Sequence, residues 1–141
     1  MTMEDNKTLV RRFIDEVFLQ GRAEAVEELL ADDFVPHTWG KTGAGKQELI
    51  EAIKRVQAGL SDARMTIEDT IAEGDRVAVR LTSHAVQTGP FMGLPPTGKA
   101  YTIGEIHIFR IREGTVAEHW HEADFMGMMR QLGALPEPVT A

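Results

Sequence analysis

The apolar residues keep a helical period from the N-terminus to about Leu60 and an alternating period after Ser61. One change of period limits the chain to helices first and strands second, which is an α+β arrangement with the helices on one face of an antiparallel sheet. Leu9, Val10, Phe13, Ile14, Val17 and Phe18 form one stripe on a helix over about Glu4 to Gln20, with Thr2 and Asp5 as its start signal and Gly21 as its stop. Ala25, Val26, Leu29 and Leu30 mark a second, short helix. The segment "DDFVPHTWG" then reads as irregular or a short strand, because Pro36 keeps Val35 out of helical geometry. A third helix over Lys46 to Leu60 buries Leu49, Ile50, Ile53 and Val56.

In the second half, Met65 to Ala72 alternates, Glu73 to Asp75 is a turn, and Val77, Val79 and Leu81 open a strand running to about Thr88. "GPFMGLPPTG" (Gly89 to Gly98) is a long connection rich in breakers, and Phe91, Met92 and Leu94 in it need cover. Tyr101 to Arg112 and Thr115 to about Ala123 are two strands joined across Glu113-Gly114. Phe125 to Leu132 is a closing helix with Phe125, Met126, Met129 and Leu132 inward, and residues 134–141 form a tail. A sheet curled around helices leaves a pocket in its concavity.

Several function classes are excluded by composition. The 141 residues are 43% hydrophobic, enough for one domain with its own core. A net charge of −7 disfavours nucleic acid and anionic membranes. No cysteine is present, so thiolate chemistry and disulfides are absent. No apolar run approaches the roughly 20 residues of a membrane span, and "MTMEDNK" lacks the features of a signal peptide. A cytoplasmic location is expected.

Chemistry concentrates in "EHWHEAD", Glu118 to Asp124. Asp124 stands where the last strand meets the last helix, as a helix N-cap or as a carboxylate acid/base whose pKa burial would raise. Alternation puts Trp120, Glu122 and Asp124 on one face and His119, His121 and Ala123 on the other. If Asp124 faces the pocket, the two histidines face away, so no metal site is expected from His107, His119 and His121. His107 shares a strand face with Tyr101, Ile103, Glu105 and Phe109, either as a hydrogen-bonded sheet residue or as a group that polarises a carbonyl. His37 lies in an irregular segment between Val35 and Trp39, and Arg80 and His84 share a solvated or inter-subunit face.

"TGPFMGLPPTGK" (Thr88 to Lys99) and "IHIFRIREGTVAEHWHEADFMGMMRQLG" (Ile106 to Gly133) closely resemble the SnoaL-like polyketide cyclases, or ester cyclases, of the NTF2-like superfamily. The resemblance extends over essentially the whole chain, as the three-helix opening with "H" before "G…KQELIEAI" also fits. It implies a cone-shaped α+β fold, N-terminal helices packed on a strongly curved antiparallel sheet that encloses a pocket. It also implies ring closure of an apolar or aromatic carbonyl compound, a polyketide ester, by intramolecular aldol condensation without metal or cofactor. Asp124 would be the acid/base, with His107 and His37 stabilising the enolate or relaying protons. Trp120, Trp39 and Phe91 would shape the pocket, and Tyr101, Gln87 and Met92 would complete the substrate contacts. Gln87 stands where a histidine is usual in the family. A homodimer or homotetramer is implied as well. Two other readings remain: a binding module with the same pocket and no chemistry, and an epoxide hydrolase using Asp124 and Arg80, for which no convincing second aspartate is available.

Overall fold

A computed structural model describes residues 2–37 and 45–136, so the expectation for Trp39 lies outside the described residues. Helix α1 (Met3–Arg12) starts on a capping box in which the Thr2 hydroxyl and the Asp5 carboxylate each satisfy the other's backbone N–H. The helix does not run on unchanged to Gln20. Phe13–Leu19 widens into a π-helix, burying Phe13, Ile14 and Val17. Helix α2 (Ala23–Leu29) leads directly into strand β1 (Leu30–Pro36), and α3 (Gly45–Gly59) leads directly into β2 (Leu60–Glu73). Strands β3 (Arg76–Gln87), β4 (Ala100–Arg112) and β5 (Thr115–Ala123) follow, then helix α4 (Phe125–Gln131).

The strands form one five-stranded sheet in the order β1-β5-β4-β3-β2. Strands β2 to β5 meander antiparallel, whereas β1 pairs with β5 in parallel, so the sheet is mixed rather than purely antiparallel. That strand returns from the helical layer to cover the edge β5 would otherwise expose. The β4–β5 turn places Glu113 and Gly114 at φ 49° and 76°, the left-handed pair a two-residue hairpin favours.

Curvature comes from bulges. Along β2 the pairing to β3 shifts between Ser61 and Arg64 and again between Ile67 and Asp69, which bends and twists the strand. The odd-numbered residues of β3 and β4 fill the concave face, from Val77 to Gln87 and from Tyr101 to Ile111. Phe13, Ile14, Val26, Leu30 and Phe34 pack against Val77, Val79, Leu81 and Phe109 in the main core. A second cluster of Ala85, Tyr101, Ile103, Met128 and Leu132 closes the other end under Phe91, Leu94 and Phe125. In α4 and at its C-cap, Phe125, Met129 and Leu132 pack inward as expected, joined by the buried Met128, while Met126 is 58% exposed. Among the described residues no helix is long and apolar enough to cross a membrane.

Candidate active site

Between the two core clusters lies an open-mouthed cavity. Phe18, Leu49, Ile53, Met65, Phe91, Phe125 and Met128 give it apolar walls. Its polar residues are Glu48, Ser83, Tyr101, Glu105, His107, His119 and His121.

One bulge decides which side chains of β5 enter this cavity. From the turn, Arg112 pairs with Thr115 and Ile111 with Val116, but beyond the shift Arg110 pairs with Glu118. Ala117 is therefore an extra residue, and both Val116 and Ala117 are buried. Strict alternation from the turn would set Trp120 opposite His107. The bulge sets His121 opposite His107 and His119 opposite Phe109 instead. His119 and His121 consequently face the cavity, and Trp120, Glu122 and Asp124 do not, which reverses the faces expected from alternation.

The result is a chain of hydrogen-bonded groups on the cavity wall. Glu105 Oε1 lies 2.8 Å from His107 Nε2 and 3.1 Å from His121 Nε2. His107 Nδ1 lies 2.9 Å from His119 Nε2. Burial pushes the Glu105 carboxyl up, but hydrogen bonds from His107 and His121 outweigh it and hold the group down to about 2. It is thus an ionised acceptor, so the ring nitrogens facing it carry protons. In neutral rings His107 then accepts at Nδ1 from His119, and His121 keeps its lone pair on Nδ1. Burial lowers the pKa of His107 and, more strongly, that of His119. Phe18, carried by the π-helix, covers the pair, its ring centroid 5.5 Å from each imidazole. Burial raises Tyr101 to about 12, opposed by a hydrogen bond with Ser83, so its hydroxyl remains a donor.

The residues expected at the site divide. His107, Tyr101 and Phe91 line the cavity. Asp124 is exposed and caps α4, its Oδ1 accepting from Gly127 N at 2.8 Å, and it borders a separate groove on the far face of the sheet with Arg80, Gly104 and Ile106. His37 and Trp120 do meet, but outside the cavity: their rings stack at 4.7 Å and 5°, with the Arg76 guanidinium 4.8 Å from the Trp120 ring centroid. Gln87 is fully buried and serves the loop rather than a ligand. Its Nε2 donates to the carbonyls of Leu94 and Pro95, and its Oε1 accepts from Thr97 Oγ1 at 2.7 Å. That staple presents Phe91 to the cavity, while Met92, at φ 51°, turns outward and is 47% exposed.

Glu105, His119 and His121 were not among the expected site residues. For Glu105 a signal existed, since it stands two residues before His107 on the same strand face. For the histidines the only signal was the adjacent apolar pair Val116-Ala117, which breaks the alternation.

Comparison with known proteins agrees with this architecture. Residues 8–132 match the SnoaL-like polyketide cyclase family. The nogalonic acid methyl ester cyclase of Streptomyces nogalater is 29% identical over 119 residues, 82% of this chain and 89% of that protein. The aklanonic acid methyl ester cyclase AcmA of Streptomyces galilaeus is 28% identical over 141 residues, 98% of this chain and 96% of that one. The structure of TsrD from Streptomyces laurentii has a TM-score of 0.86 at 30% identity and covers 96% of this chain and 99% of its own. The chain belongs to the SnoaL-like polyketide cyclase family.

Proposed function

We propose that the protein closes a ring of a neutral polyketide ester by cofactor-independent intramolecular aldol condensation, with His121 as acid/base. The observation that carries this reading is the hydrogen-bonded set Glu105–His107–His121 on the wall of a largely apolar cavity. The relatives named as methyl ester cyclases supply the substrate class. A neutral ester also suits a cavity that no lysine or arginine lines among the described residues.

In this mechanism His121 Nδ1 removes a proton alpha to a carbonyl. The Glu105 carboxylate holds Nε2–H and stabilises the imidazolium that forms. The enolate carbon attacks a ketone carbon of the same molecule, a carbon–carbon bond forms, and the new alkoxide recovers the proton from His121. The Tyr101 hydroxyl, in a hydrogen bond with Ser83, is a donor available to the enolate oxygen. The enzyme is read as cytoplasmic and as a homodimer or homotetramer, which size-exclusion chromatography with light scattering checks directly.

Asp124 is the competing base, and kinetics separate the two assignments. Aklanonic and nogalonic acid methyl esters are offered to the wild type and to the Glu105→Gln, His121→Gln and Asp124→Asn variants. Glu105→Gln and His121→Gln are expected to lose about 100-fold or more in kcat/KM, the range of general acid–base catalysis. Asp124→Asn keeps its capping oxygen and should stay within a factor of about five. Near-normal turnover in His121→Gln, or a collapse in Asp124→Asn, would sink the assignment to His121.

A further inference from the structure

Two grounds spoke against a metal, the lack of cysteine or another well-spaced ligand and His119 and His121 facing away, and the bulge in β5 removes the second. Glu105, His107 and His121 converge, one donor atom of each lying within 4.8 Å of the others. The two distances from the carboxylate oxygen are 2.8 and 3.1 Å. Ligands held about 2.0–2.2 Å from a tetrahedral or octahedral cation stand roughly 3 to 3.5 Å apart, close to these spacings. Two ligands lie two residues apart on β4 and the third is the register partner of His107, so the backbone fixes their approach before any ion enters.

Two further features suit a cation. His107 Nδ1 sits 2.9 Å from the fully enclosed His119 Nε2, the outer hydrogen bond that orients a metal-bound imidazole. The cavity leaves the remaining coordination positions open to water or a ligand oxygen. Two imidazoles and a carboxylate form a borderline donor set that suits Zn²⁺.

We propose that Glu105, His107 and His121 form a Zn²⁺ site within the cavity and that an ion bound there blocks proton transfer. Binding needs no net loss of protons. In His107 and His121 the ring proton moves from Nε2 to Nδ1; Nδ1–H of His107 then donates to His119 Nε2, whose own proton moves to its Nδ1. The His107 and His121 rings now stack at 4.3 Å and 14°. A cation lies in the plane of each ring it binds, so His121, beside the open cavity, turns as the ion enters. Only the inhibitory half of the proposal rests on His121 and Glu105 being the acid–base pair.

The test is titration of metal-stripped full-length protein with ZnCl₂ by calorimetry, alongside visible spectra of the Co²⁺ form. One ion per chain is expected, with affinity reduced at least about tenfold in Glu105→Gln and His121→Gln. The His84→Ala variant, altered on the opposite face, should bind as the wild type does. Circular dichroism confirms that each variant is folded. Should one unfold, the Co²⁺ bands of the wild type and their loss on adding Zn²⁺ still report the site. Conversion of aklanonic acid methyl ester should fall with Zn²⁺ occupancy and return with EDTA. Absence of stoichiometric binding, or equal binding by the two ligand variants, overturns the site. Full occupancy with unchanged turnover overturns the inhibition. Binding by a protein that cyclises neither ester leaves the metal site standing and removes the cyclase reading.

Discussion

Tyr101 is the one tyrosine of the chain, so its ionisation can be followed without interference. Burial holds its pKa near 12, above the ordinary value of 10.0, which means the folded state binds the proton more tightly than the unfolded state does. Its contribution to stability is therefore complete below pH 10 and is lost as pH rises through 12. Absorbance at the phenolate band should show no titration in the folded protein until near pH 12, and an ordinary one in denaturant. A midpoint near 10 without unfolding would contradict a buried Tyr101. Gln87 gives a second residue-level expectation. Gln87→Ala leaves the Leu94 and Pro95 carbonyls and the Thr97 hydroxyl without their partner, at a cost of about 3 kcal/mol or more in urea unfolding. Because the same bonds present Phe91, KM should rise more than kcat falls. The sequence placed both among the substrate contacts, which holds for the cavity-lining Tyr101 but not for Gln87, whose role in fastening the loop was not legible. Tertiary closure of the loop assigned it.

At the scale of elements, the end of β5 and the start of α4 show how a motif can be read correctly in one sense and missed in another. Asp124 was legible as an N-cap because Asp before an apolar helical run has that local meaning. Local chemistry also ties Gly127 to it, since a Cβ there would stand 2.2 Å from Asp124 Oδ2. Asp124→Ala should lower stability by about 1 kcal/mol, measured by urea unfolding, while Asp124→Asn should change it little. Gly127→Ala should displace the cap and approach the loss seen in Asp124→Ala. The direction faced by His119 and His121 was not legible in the same way, because it depends on the pairing partner as well as on the strand's own sequence. A bulge alters that pairing at the cost of one unpaired residue, and Ala117 carries no side chain distinctive enough to announce it.

Across the whole molecule, the order of elements was legible because a helical period followed by an alternating one leaves few ways to bury both apolar faces. The parallel β1–β5 pairing was not, since it joins residues far apart in sequence, such as Leu30 and Val116. It places β5 between β1 and β4, with main-chain partners on both sides. Hydrogen exchange should accordingly protect the β5 amides near His119 more strongly than those at the outer edge of β2. The bulge at Ala117 then has a genetic consequence. Loss of that single codon would leave length, charge and composition almost untouched. Pairing from the Glu113-Gly114 turn would then continue in step, with Glu118 opposite Arg110 and His121 opposite His107 as before, so the imidazoles would keep the cavity face. Descent within such a lineage can drop the extra residue and keep the site, whereas gain of one codon there without a second bulge would turn His119 and His121 away from the cavity at once.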